Sequence, residues 1–144
     1  MVKTIVKNRR ANFDYHVIET YEAGIVLKGS EVKSIREGKV SLTDSFAQIV
    51  QGELFLFNMH ISPYEKSRVE LDPKRDRKLL LHKSEIRRIE SKLKTKGLTL
   101  VPLELYFKNG LVKVNLALAK GKKKYEKRDK LIEREQKREI RRYL

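Results

Sequence analysis

Up to about position 119 the chain moves between two hydrophobic rhythms, and beyond it neither survives. Over residues 15–27, Val17, Glu19 and Tyr21, then Ile25 and Leu27, alternate well enough for a half-buried strand, with an interruption at Gly24. Gly29 and Ser30 change the period. Ser30 is a candidate N-cap, Glu31 suits the positive end of a helix dipole, Val32 and Ile35 make one stripe, and Gly38 ends the helix. Residues 45–50 and 53–58 read as two strands meeting at Gln51-Gly52. Residues 62–78 are charged and broken by Pro63 and Pro73, which predicts a mobile loop carrying Lys74, Arg75, Arg77 and Lys78. A second helix follows over 83–95, with Ile86, Ile89 and Leu93 inward, Arg87, Arg88 and Lys92 outward, and Gly97 as its cap. Residues 98–107 and 111–119 flank Asn109-Gly110, the strongest short-range hairpin signal, and Val112, Val114, Leu116 and Leu118 define one buried face. Pro102 suggests an edge or bulge.

These elements show no βαβ alternation and no repeat. They predict a mainly β fold for residues 1–119, closed as an OB-like antiparallel barrel of about six strands with two or three inserted helices. A β-sandwich with helical caps is the alternative closure.

Residues 120–144 are a different material. They hold 12 Lys or Arg against 5 Asp or Glu, a net 12 − 5 = +7 of the chain's formal +15. Tyr125, Ile132 and Tyr143 alone fall near one helical line, too little to fold against a core. Glu126 with Lys130 and Glu133 with Lys137 have i, i+4 spacing, so the segment is expected to become helical when a polyanion neutralises it. A solvated helix or solubilising tail fits the same composition.

Charge then narrows the function. No Lys or Arg occurs between Lys39 and Lys66, whereas basic residues gather at positions 3–10, 66–96 and in the tail. Basic surfaces around a neutral core are expected, and nucleic acid is the partner that matches them. An anionic membrane would need a helix with a broad apolar face, which the tail lacks. With 144 residues, no cysteine, no apolar leader and no apolar run of membrane length, a soluble cytoplasmic domain with an extension is expected. Lys7, Asn8, Arg9 and Arg10 read as a short basic arm.

Catalytic patterns fail on residue types: there is no cysteine nucleophile, Gly-x-Ser-x-Gly, P-loop or Gly-x-Gly-x-x-Gly. His16, His60 and His82 lack metal-like spacing, although a His pair with a Lys could cleave RNA by acid–base catalysis. No catalytic residue, metal or cofactor is expected. His82 could simply bond an N–H at the start of the second helix, and Leu80 reads more readily as core than as contact. Glu22 reads as a salt-bridge partner or as an acceptor for base amino groups. Tyr125, amid Lys122, Lys123, Lys124, Lys127 and Arg128, fits stacking on an unpaired base.

The runs TYEAGIVLKGSEVKSIREGKVSLTDSF, HISPY, DPKRDRKLLLHKSEI, GLTLVPLELYFKNG and ALAKGKKKYEKR resemble, in the same order, those of the small protein B family of bacterial transfer-messenger RNA (tmRNA)-binding proteins. The resemblance implies a monomeric OB-like barrel that binds the tRNA-like domain of tmRNA. It implies entry to the A site of ribosomes stalled on messages without a stop codon, the tail reaching the decoding centre of the small subunit and the empty mRNA channel. Glu22, Leu80 and His82 fall on family RNA-contact positions, the last being Asn or His in the family, and Asn8, Arg9, Arg10 and Ala11 match a family segment near the same RNA. Phe13 stands where the family often has His or another polar ring. The family's Asp-Lys-Arg tail motif reads Glu126-Lys127-Arg128, with Tyr125 before it as the residue stacking in the decoding centre. Lys122, Lys123, Tyr143 and Leu144 complete the expected ribosome-contacting set. The competing readings are a ribosomal or assembly protein with an OB-like barrel and, further off, an RNA-processing enzyme.

Overall fold

A computed structural model describes residues 2–68 and 70–122, apart from the side chain of Asn12. The elements run β1 (Val2–Lys7), α1 (Arg9–Asp14), β2 (Tyr15–Ile25), α2 (Gly29–Arg36), β3 (Val40–Ser41), β4 (Phe46–Val50), β5 (Glu53–Phe57), β6 (His60–Ile61), β7 (Arg77–Leu80), α3 (Lys83–Leu93), β8 (Leu98–Lys108) and β9 (Leu111–Gly121). Both expected hairpins form. Gln51-Gly52 and Asn109-Gly110 take positive φ at both positions (51° and 78°, 52° and 79°), the backbone that matches the twist of flanking strands.

Six antiparallel strands close into a ring in the order β2–β9–β8–β4–β5–β7 and back to β2. Two seams are narrow: Ala47 opposite Leu100 joins β4 to β8, and Gly24 and Ile25 opposite Leu80 and Leu79 join β2 to β7. The register of β8 slips between Pro102 and Glu104, so its first half borders β4 and its second half borders β1. Inside the ring lie Ala23, Leu54, Leu56, Leu79, Leu100, Leu105, Val114, Leu116 and Leu118, with Ile35 of α2 and Ile89 of α3 packed among them. On the outer face, the small side chains Ala117 and Ala119 let α1 settle by Ala11 against Val101.

Four expectations need correction. The basic arm is not a loose arm: residues 2–7 pair with β8, and residues 9–14 form α1. Ser30 lies inside α2, because Glu31 supplies the cap by accepting the Lys28 N–H at 2.9 Å, making Lys28 the N-cap. The loop over 62–78 ends in strand, since Arg77 opens β7 opposite Leu56. Nor is the core neutral: Arg77 is fully buried and Glu31 is 4% exposed.

That buried pair is dense with donors. Glu31 Oε2 accepts from Arg77 Nε (2.9 Å), Arg77 Nη2 (2.7 Å) and Arg75 Nε (3.0 Å), while Arg75 Nη2 and the Lys28 N–H serve Oε1. Arg77 also donates to the carbonyls of Met59 and Pro73. Burial opposes ionisation of Glu31, but the hydrogen bonds from Arg75, the Lys28 N–H and Arg77 outweigh it and hold the carboxyl below its ordinary range. The pair thus locks α2 to the end of the ring that β7 closes.

Candidate nucleic-acid interface

Glu22, Leu80 and His82 reach one place from three elements. Strand parity in β2 turns Ala23 into the core and Glu22 outward, at the position opposite Asn115 of β9. Parity in β7 buries Leu79 and leaves Leu80 51% exposed, so Leu80 is surface and the expectation of core is corrected. His82 is the exposed N-cap of α3, and its N–H donates to Glu85 Oε1 at 3.3 Å. Because Gly24 pairs with Leu80, the three side chains share one open hollow of about 410 Å3 with Gly24, Leu81, Glu85 and Lys113.

The carboxylate of Glu22 does not hang free. It reaches across β9 to β8, where Oε2 accepts from the Tyr106 hydroxyl at 2.5 Å and Lys108 Nζ lies 3.1 Å from Oε1 and 3.3 Å from Oε2. The Tyr106 hydroxyl first, and Lys108 second, hold its carboxyl below the usual range. Glu22 is therefore an anchored anion, and it makes the ion pair that its basic surroundings predicted. Such a group accepts hydrogen bonds and offers no proton. Leu80 beside it supplies an apolar shelf, and His82 a ring that can hydrogen-bond.

Asn8, Arg9 and Arg10 border the same outer face without lining the hollow. Asn8 is built into the fold: its N–H donates to Leu103 O (2.7 Å) and its Nδ2 to Pro102 O (2.9 Å). Arg10 lies 3.5 Å from Asp14 and 4.8 Å from the centre of the Phe13 ring, which is buried. Arg9 is exposed. α1 sits over Ala117 and Ala119, two and four positions along β9 from Asn115, or roughly 7 to 13 Å from the level of Glu22. Lys122 leaves β9 beside α1, its N–H donating to Asp14 O at 2.8 Å. The expected contacts Lys123, Tyr125, Glu126, Lys127, Arg128, Tyr143 and Leu144 lie outside the described residues.

Sequence reasoning missed Tyr106, Lys108, Lys113 and Glu85. Tyr106 and Lys108 stand two positions apart on the strand entering the Asn109-Gly110 turn, so their shared face was readable, but the reach of Glu22 across a whole strand was not. A second cavity, about 290 Å3 and lined by Glu31, Tyr64, Asp72 and Arg77 among others, has Glu31 and Arg77 engaged in the buried pair and Asp72 accepting the Lys74 N–H. Among the described residues there is no cluster of three metal-ligating side chains, and no helix is long and apolar enough to cross a membrane.

Comparison with known proteins extends beyond the described residues. The model of the SmpB protein family matches residues 5–144. The SsrA-binding protein of Desulforudis audaxviator is 60% identical over 96% of this chain and 91% of its own length. That of Carboxydothermus hydrogenoformans is 59% identical over 100% of this chain and 97% of its own. A solved structure described as "tmRNA-SmpB: a journey to the center of the bacterial ribosome" superposes with a TM-score of 0.70 at 60% identity, over 83% of this chain and 85% of that one. With the motifs in order, the whole length matched and the fold shared, the chain belongs to the SmpB protein family.

Proposed function

We propose that this chain is the protein half of a ribosome-rescue adaptor. Its ring of six strands works as an OB-like barrel that binds the tRNA-like domain of tmRNA and delivers it to the A site of stalled ribosomes. The relatives called SsrA-binding proteins and the tmRNA-SmpB structure support this reading, and the observation that carries it is the meeting of Glu22, Leu80 and His82 in one hollow. Glu22 accepts from a base amino group, Leu80 packs under a base or ribose, and His82 hydrogen-bonds through a ring nitrogen. Lys113 and the exposed Arg9 and Arg10 serve phosphates. The body acts by binding alone, as a cytoplasmic monomer. Residues 120–144 are the second end of the adaptor, entering the decoding centre and the mRNA channel where no message fills it. Lys122, Lys123, Lys127 and Arg128 meet phosphates there, Tyr125 stacks, Glu126 sits among them, and Tyr143 and Leu144 anchor the far end.

Filter binding with a transcript of the tRNA-like domain tests the body. Glu22→Gln, Leu80→Ala and His82→Ala are each expected to weaken binding about tenfold, the loss of one good contact. Glu22→Gln is the most telling, because it raises the net charge and would by itself strengthen non-specific RNA binding. Gln48→Ala, exposed on β4, should leave affinity unchanged. Wild-type affinity in all three hollow variants would overturn the reading.

A further inference from the structure

We infer that Tyr106, assisted by Lys108, is the positioning group that fixes the Glu22 carboxylate, leaving one acceptor edge for an RNA base that presents an amino group. The inference rests on the adaptor reading of the hollow and adds to it a residue in contact with Glu22 rather than with RNA. Glu22 is partly exposed on β2, where a glutamate ordinarily samples several rotamers. Tyr106 does not. Its ring is buried at 7% exposure in β8, so its hydroxyl is a fixed post on the far side of β9. The 2.5 Å hydrogen bond to Oε2 ties the carboxylate to that post, and Lys108 Nζ straddles both oxygens. Burial, and then Glu22 itself, push the Tyr106 phenol well above its ordinary range, so it stays a donor.

Counting acceptors shows what remains. Among the described residues Oε2 takes two hydrogen bonds, from Tyr106 and Lys108, and Oε1 takes one, from Lys108. A carboxylate oxygen has two lone pairs, so Oε1 keeps an acceptor site. A single exocyclic amino group fills it, as on cytosine, adenine or guanine. Uracil presents carbonyl oxygens on both sides of its one N–H, and a fixed anion repels them. Were the carboxylate free to turn, it could follow either kind of edge. Holding it still converts a charge into a selection.

A double-mutant cycle tests this with the full chain and a transcript of the tRNA-like domain. Tyr106→Phe keeps the buried ring and removes one hydroxyl. It is expected to weaken binding about tenfold in the wild-type background, the size of one hydrogen bond to a charged group, and less than about twofold in the Glu22→Gln background. Lys108→Gln, at a half-exposed position, is expected to be coupled to Glu22→Gln in the same sense. Carbon-13 NMR of the Glu22 carboxyl gives a readout that a purely structural role would not move. Its titration midpoint should rise toward the ordinary carboxylate value in Tyr106→Phe. The groups facing it, Lys113 from β9 and His82 and Glu85 around α3, are unchanged by the substitution, as is Glu104 of β8, which acts on Tyr106. Equal losses in both backgrounds, no loss in the wild-type background, or a fixed midpoint would overturn the inference. Wild-type binding by Glu22→Gln with losses in Leu80→Ala and His82→Ala would likewise overturn the inference, whereas wild-type binding by all three would overturn the adaptor reading of the hollow. A normal loss in Glu22→Gln with none in Tyr106→Phe sinks the positioning alone.

Discussion

A chain ended after Lys122 is expected to bind the tRNA-like domain within about threefold of the full chain at physiological salt, yet to support no tagging of stalled peptides. The cut keeps every β9 pairing and the Lys122 N–H bond to Asp14 O, so the ring and the hollow are untouched. What it removes, residues 123–144, carries 10 Lys or Arg and 5 Asp or Glu, a net 10 − 5 = +5. Those charges strengthen contact with any RNA at low salt, which is why the comparison belongs at physiological ionic strength. On the proposed mechanism they act in the ribosome, where phosphates surround them. Reconstituted translation on a message lacking a stop codon reads the outcome. Tagging at the full-length rate by the shortened chain would contradict the division of labour between body and tail.

Arg77→Met should lower stability by about 3 kcal/mol or more, a large part of what a domain of this size has. The fully buried guanidinium gives Glu31 two of its hydrogen bonds and serves the carbonyls of Met59 and Pro73. Removing it leaves a buried carboxylate short of donors and two carbonyls without that partner. Arg75, one-quarter exposed, keeps part of the charge balance and can itself be hydrated. Arg75→Met is therefore expected to cost about 1 kcal/mol. The double variant Glu31→Met with Arg77→Met should recover part of the loss, because an apolar pair leaves no buried charge behind. Urea unfolding checks all three, and a midpoint for Arg77→Met equal to wild type would show the pair to be dispensable. RNA affinity of the folded fraction should stay near wild type, since the pair lies outside the hollow that holds Glu22.

The hairpins were readable because their turn dipeptides favour positive φ and the flanking residues alternate, as at Val114, Leu116 and Leu118. The helices were readable from their stripes, although the α2 cap went to Glu31 instead of Ser30. Two-residue strands such as β3 and β6 are shorter than any period. In β1 and α1 the basic side chains masked the pattern, and what buries α1 is a set of alanines that carries little hydrophobic signal. Arg77 was hidden by its charge: a buried arginine is invisible until its partner, far away at Glu31, is known. Leu79, Leu80 and Leu81 look alike as letters, and only the parity of β7 sends the middle one outward.

The site divides in the same way. Glu22, Leu80 and His82 could be named from the motifs that hold them, but their convergence depends on the seam between β2 and β7, which joins residues far apart in the chain. Tyr106 and Lys108 needed the side-chain geometry. Local rules fix how each strand presents its residues, and the ring decides which of those residues meet.

Site-directed photocrosslinking measures the central claim most directly, by asking what the hollow touches. With Leu80 replaced by a benzophenone amino acid in the full chain, irradiation in the presence of the tRNA-like domain should yield a covalent protein–RNA product. The same replacement at Gln48, exposed on β4, should yield little. Crosslinking from position 48 with none from position 80 would mean that RNA docks on another face and that the meeting of Glu22, Leu80 and His82 serves something else.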